Sequence, residues 1–242
     1  MDVLITGASR GIGRAIAIRL AQDGARIVFN YLQNEPAALQ TIADIQAAGG
    51  EAYALSADVR SPDALKMLVA EAESRLGGID LLVHNAAMGA LKPMEKMRTN
   101  QWDLTLESSL RPFWLLSKLC LPLLREGSSI IGITSLGSRK YTPGYAAMGA
   151  SKGGVEALVR QFAVELAPKT RVNAVCGGLI ETAVLKYLPE AEQLVEHVKQ
   201  ATPLGRIGQP SDIAGVVAML ASEDARWING QVVVADGGLS AV

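Results

Sequence analysis

Thr6-Gly7-Ala8-Ser9-Arg10-Gly11-Ile12-Gly13 follows an apolar run, Val3–Ile5, and opens a segment in which Ile12, Ile16 and Leu20 recur at helical spacing. Glycines between a strand and a helix serve two ends. They allow a tight turn, and they let the backbone approach a phosphate drawn to the free N–H groups and positive dipole end of the helix. The spacing is TGxxxGxG, which makes Gly7, Ser9, Arg10, Gly11, Ile12 and Gly13 the residues expected around a pyrophosphate. A nucleotide-binding turn after a first strand belongs to a parallel α/β sheet, so this stretch sets the fold class.

Outward from it, short apolar runs alternate with longer helical segments. Strands are predicted at Val3–Ile5, Arg26–Tyr31, Glu51–Leu55, Ile79–His84, Ser129–Thr134, Arg171–Cys176 and Gln231–Val234. Between them, Leu39-Ile42-Ile45, Leu65-Leu68-Val69, Leu115-Leu119-Leu123 and Val155-Leu158-Phe162 carry three and four spacing. Gly49-Gly50 and Gly77-Gly78 read as helix C-caps. The rhythm predicts a Rossmann-type, doubly wound parallel sheet of seven strands in the order 3-2-1-4-5-6-7, with helices on both faces. Residues 1–242 read as a single domain. The segment from about 181 to 210 interrupts the alternation after the sixth strand, where a substrate lid is expected.

Composition narrows the function. A formal charge of −1 without a Lys/Arg cluster argues against nucleic acid or an anionic membrane as partner. Cys120 and Cys176 stand alone, so neither a disulfide framework nor a zinc site is expected. The first strand begins almost at Met1 and no run of roughly 20 apolar residues follows, which makes a cytoplasmic location the expectation.

The chain resembles the short-chain dehydrogenase/reductase superfamily over nearly its whole length. Besides the glycine motif, Asp58-Val59 resembles the family's adenine contact, and His84-Asn85-Ala86-Ala87 stands where the family writes Asn-Asn-Ala-Gly. Val172-Asn173 with Gly178-Leu179-Ile180-Glu181-Thr182 matches the segment that holds the nicotinamide carboxamide, with Gly177 replacing the usual proline. The resemblance thus implies cofactor contacts at Asp58, Val59, Asn85, Ala86, Gly178, Ile180 and Thr182. The second strand ends Phe29-Asn30-Tyr31 without the acid that would bind an NAD ribose, and Arg10 could pair with a 2′-phosphate. NADPH is the expected cofactor; Arg10 as a solvated loop residue is the alternative.

Most members of the superfamily carry Tyr-x-x-x-Lys, with a serine thirteen residues before the tyrosine. Counting back from Lys152, the tyrosine position holds Met148, and thirteen residues earlier stands Ser135. The nearest tyrosine is Tyr145, giving Tyr-x6-Lys. Residues seven apart on a helix share a face, about 20° around and roughly 10 Å along. A hydroxyl displaced by one turn suits the oxygen of an α,β-unsaturated thioester, which is separated from the carbon receiving hydride by two further carbons. The segment resembles the active-site helix of bacterial enoyl-acyl carrier protein reductases, and Ser109 falls near the position where that group often replaces the superfamily's catalytic asparagine. The Ser135–Ser138 run followed by Tyr141 is closest to the NADPH-dependent branch.

The resemblance implies that Tyr145 hydrogen-bonds the thioester oxygen, Lys152 holds the nicotinamide ribose, and Ser135 orients substrate or Tyr145. Reduction of a trans-2-enoyl thioester in fatty acid elongation is the leading expectation. A carbonyl or 3-oxoacyl thioester reductase, and a non-catalytic NADPH-binding regulatory protein, are the alternatives. Tyr141 could be the oxygen ligand instead, and Tyr145 or Ser135 a plain packing or turn residue. Met88, Met94, Met97 and Met148 could line an acyl pocket or fill core, and His84 reads as a strand-end residue without catalytic duty. The Phe113–Leu124 and Gly153–Phe162 helices suggest an interface of a homotetramer, with a monomeric core as the alternative. A carrier protein with acidic helices could dock on Arg111, Lys118 or Lys186.

Overall fold

The computed structural model describes residues 1–183, 185 and 191–242. Seven strands form one parallel sheet: β1 Asp2–Ile5, β2 Arg26–Tyr31, β3 Glu51–Ser56, β4 Ile79–His84, β5 Leu124–Ser135, β6 Thr170–Gly177 and β7 Val232–Ala235. Their order is β3-β2-β1-β4-β5-β6-β7, as the alternation of elements predicts. Side chains along each strand point alternately to the two faces. Val3, Ile5, Ile27, Phe29, Leu81 and Val83 pack on one side beneath α1 (Gly11–Ala21), α2 (Glu35–Ala47) and α7 (Pro210–Ala221). Leu4, Val28, Leu82, Ile130, Val172 and Ala174 pack on the other beneath α3 (Pro62–Leu76), α4 (Thr99–Cys120) and α5 (Ala146–Glu165). Apolar burial on both faces explains why these strands are nearly continuous hydrophobic runs.

Two boundaries differ from the periodicity by more than one residue. β5 starts at Leu124 rather than Ser129, with a register shift against β4 between Ile79 and Leu81. The extra residues belong to an ion cluster at the N-terminal edge of the sheet: the Arg125 guanidinium donates to Asp2 (2.7 Å) and Asp80 (3.0 Å), and Asp2 also accepts from Arg26. α4 ends at Cys120, so Leu121–Leu123 form the turn into β5 instead of a last helical turn. Gly77 closes α3 in the left-handed conformation and Gly49 adopts φ +96 after α2, as their sequence context suggests. Helix α6 (Ala191–Ala201) falls within the segment expected to be a lid and buries none of its residues. The part of that segment at 184 and 186–190 lies outside the described residues.

Candidate active site

The C-terminal ends of β1, β4, β5 and β6 meet along one edge of the sheet, where open α/β folds bind ligands. Here the glycine turn is braced from two sides. The buried Asn30 side chain accepts from the Gly7 N–H (2.9 Å) and donates to the Ala57 carbonyl (2.7 Å). Asn85 donates its amide to the Thr6 and Gly7 carbonyls (3.0 and 2.9 Å), and the Thr6 hydroxyl accepts from the Asn85 and Ala86 N–H groups. At Gly13 a Cβ would sit 2.5 Å from the Gly7 carbonyl oxygen, so only glycine lets α1 start this close to the turn. Asn85, expected at the cofactor, therefore has its side-chain amide engaged in holding the turn.

The N-terminus of α1 carries no side-chain cap and no acid in its first turn. By contrast, Asn34 caps α2 and Ser61 caps α3. An uncapped helix start beside a glycine turn leaves N–H groups directed outward, the arrangement that receives a phosphate. Thr182 overhangs it, its methyl 3.6 Å from where a Gly11 Cβ would be, which brings the Gly178–Thr182 segment to the same site. Arg10 is exposed, with no ion pair among the described residues. Asp58 is paired to Arg60, whose guanidinium holds the carboxyl below the usual range, and Val59 packs into the core beside it. These features fit a dinucleotide: bare helix N–H groups, a cradle a Cβ would fill, and a free guanidinium.

Ser135, Tyr145 and Lys152 lie beyond that turn. Tyr145 is the N-cap residue of α5 rather than part of its first turn, and its side chain lies near that of Ser135. Burial pushes the phenol pKa up, and the nearby Ser135 side chain opposes this in part. Tyr141 is 89% exposed. Lys152 is 4% exposed, its Nζ donates to the Ile133 carbonyl (2.8 Å), and burial lowers its pKa to about 8. Met148 turns its sulfur toward Gly89. Met94 is 83% exposed and Met88 lies at the surface, so neither fills core.

His84 is buried with its Nε2 2.7 Å from the Ser109 carbonyl and its Nδ1 3.5 Å from the Thr6 hydroxyl. The Thr6 oxygen already accepts two N–H groups, so its proton points to Nδ1 and the imidazole proton sits on Nε2. Burial first, then the Lys152 charge, lowers the His84 pKa to about 3, which keeps the ring neutral. Ser109 is fully buried with a hydroxyl that has no partner among the described residues.

The sequence reading missed a buried carboxylate. Glu156 on α5 accepts from Thr134 (3.1 Å), Ser138 (2.7 Å) and Arg139 (2.9 Å), fixing the turn after β5. Its position in an amphipathic helix gives no sign of this, because the partners come from another element. The basic patch also needs correction. Lys118 lies near the end of α4 that leads into β5, at the edge of the sheet opposite Ser135, over the Trp114 ring. Arg111 is engaged with Glu107 and the Arg60 carbonyl (2.6 Å). Lys186 lies outside the described residues.

A parallel sheet with a glycine turn at the first helix, a buried lysine and a tyrosine near a serine fits a nicotinamide-dependent oxidoreductase. The chain belongs to the short-chain dehydrogenase/reductase superfamily: the family model described as enoyl-(acyl carrier protein) reductase matches residues 7–240. The 1-cyclohexenylcarbonyl-CoA reductase of Streptomyces collinus is 38% identical over 242 residues, covering 99% of this chain and 86% of the relative. A 3-oxoacyl-[acyl-carrier-protein] reductase of Staphylococcus epidermidis is 36% identical, with 98% of each chain covered. A short-chain dehydrogenase/reductase from Serratia marcescens superposes with a TM-score of 0.93 at 32% identity, over 98% of this chain and 97% of that one. Among the described residues there is no cluster of three metal-ligating side chains and no helix long and apolar enough to cross a membrane.

Proposed function

We propose that the protein reduces the trans-2 double bond of an enoyl thioester with NADPH. The observation that carries this reading is the exchange at the start of α5: the usual tyrosine position holds Met148, with its sulfur turned to Gly89, while the half-buried Tyr145 lies near Ser135. When bound, the reduced nicotinamide supplies two electrons as hydride. Gly7, Ser9, Gly11, Ile12 and Gly13 would hold its pyrophosphate, Asp58 and Val59 its adenine, Ala86, Gly178, Ile180 and Thr182 its nicotinamide end, and Lys152 its ribose hydroxyls.

Tyr145 then donates a hydrogen bond to the thioester oxygen, where negative charge gathers as the conjugated bond is reduced. Ser135 keeps that hydroxyl aimed. The name of the Streptomyces relative supports conjugate reduction, since its substrate is an alkenyl thioester. The Staphylococcus relative favours the second reading, reduction of a 3-oxoacyl thioester. NADPH oxidation with crotonyl and acetoacetyl thioesters separates them. The expected outcome is faster turnover of the crotonyl compound; faster ketone reduction moves the assignment to the second reading, and NADPH binding without turnover of either moves it to a regulatory protein.

Arg10 is assigned to the 2′-phosphate. A charge-assisted hydrogen bond of this kind contributes about 1.5–3 kcal/mol. Arg10→Ala is therefore expected to raise the KM for NADPH about 10-fold or more, with that for NADH little changed. Equal effects on the two cofactors would remove the assignment. The acyl group is read as carried on an acyl carrier protein in the cytoplasm, within fatty acid elongation. Exposed Trp102, Trp114 and Val164 on α4 and α5 are read as subunit contacts of a homotetramer.

A further inference from the structure

The Tyr145 ring lies against two residues that have no side chain. A Cβ on Gly137 would overlap Cδ1 and Cε1 of the ring and stand 3.1 Å from its Cγ. A Cβ on Gly149 would stand 2.5 Å from the Gly137 carbonyl oxygen and 3.8 Å from Tyr145 Cδ1. Comfortable contact between non-bonded carbons begins at about 3.5 Å. Neither glycine adopts a positive φ, so their backbone conformations are open to any residue. What they supply is space. Gly149 does so inside α5, where glycine is a poor helix former.

The slot has fixed walls. The Gly149 N–H donates to the Tyr145 carbonyl (2.6 Å), which ties the first turn of α5 to the Tyr145 backbone. Opposite it, the turn Leu136–Ser138 is anchored through Ser138 and Arg139 to the buried Glu156. Across the site a third gap, at Gly89, receives the Met148 sulfur.

We propose that Gly137 is a specificity-determining position: the space left by its missing side chain lets a tyrosine ahead of the Met148 position present its hydroxyl at Ser135, with Gly149 completing the slot. Gly137 and Gly149 are positioning residues that act through Tyr145. The inference rests on the reading that Tyr145 supplies the hydroxyl.

The test compares the native protein with Gly137→Ala, Tyr145→Phe and the double variant, with Gly215→Ala as a control. Gly215 is an exposed helical glycine with nothing within 4 Å of its missing Cβ. Gly137→Ala is expected to lower kcat on the order of 10²-fold, as a misplaced catalytic group does. The KM for NADPH should stay within about twofold, because the cofactor cradle is untouched. Adding Gly137→Ala to Tyr145→Phe should cause no further loss. Multiplying effects, or a Gly137→Ala rate close to native, would overturn the proposal.

A second measurement is independent of turnover. The ultraviolet ionisation of Tyr145 is taken as the difference between each protein and the same protein carrying Tyr145→Phe. It should move toward the free phenol value of about 10 in Gly137→Ala as the ring leaves its half-buried seat. An unmoved ionisation overturns the proposal. If the native protein reduces only the ketone, the proposed reaction fails, and the cycle is read on that substrate with the same non-additivity expected. If it reduces neither, the ionisation alone decides.

Discussion

Tyr145→Phe is expected to lower kcat for crotonyl thioester by about 10²-fold or more while leaving NADPH binding within about twofold, because it removes one preorganised donor to a developing oxyanion. The phenyl ring keeps its seat against Gly137, so the change isolates the hydroxyl from the packing. Lys152, the glycine turn and the Gly178–Thr182 segment, the residues proposed to hold the cofactor, are unaltered. Steady-state NADPH oxidation gives kcat, and nicotinamide fluorescence in the absence of thioester gives the binding constant. A loss in kcat with an unchanged KM for the thioester identifies an interaction made only in the transition state. A near-native rate would transfer the hydroxyl role away from Tyr145, and the exposed Tyr141 would have to swing in to take it.

Lys152→Met should abolish turnover and yet stabilise the cofactor-free protein at pH 7. Burial lowers the folded-state pKa of Lys152 to about 8, against about 10.4 in an unfolded chain. Between those two pH values the unfolded chain binds the extra proton, so native stability rises with pH across that window. Below pH 8 the full penalty for burying the ammonium applies, about 3 kcal/mol at 1.36 kcal/mol per unit. Methionine removes this penalty but leaves the Ile133 carbonyl without the Nζ–H donor, which takes back about 1–2 kcal/mol.

The net expectation is a variant about 1–2 kcal/mol more stable at pH 7, with the advantage gone by about pH 10.5. Urea denaturation of both proteins at the two pH values measures it. A variant less stable at pH 7 would mean that the hydrogen bond to Ile133 outweighs the cost of burial. A stability gain accompanied by lost turnover identifies a charge kept buried for function, as an anchor for ribose hydroxyls would be.

Much of this protein was legible along the chain. The glycine turn, the seven strands and their order follow from local spacing, because a strand or helix shows its period in its own residues and right-handed crossovers leave few ways to arrange them. The register from Lys152 back to Met148 and Ser135 is likewise a matter of counting, and so is the approach of Tyr145 to the same region. Charge was legible only as a total. Its placement was not: Lys118 and Arg111 stand on one helix, but α4 runs antiparallel to the strands and carries Lys118 to the far edge of the sheet.

Tertiary structure alone decided which side chains meet. It directed the amides of Asn30 and Asn85 into the glycine turn, brought Glu156 under Ser138 and Arg139, and fixed the His84 proton on Nε2 by surrounding it with a hydroxyl donor and a carbonyl. It also turned Gly137 and Gly149, which look like ordinary small residues in sequence, into the two sides of a slot for one aromatic ring. The physical reason is the same in each case. Periodicity is a property of one element, whereas hydrogen bonds, desolvation and close approach belong to pairs of elements, and their partners lie as far as 78 residues away along the chain.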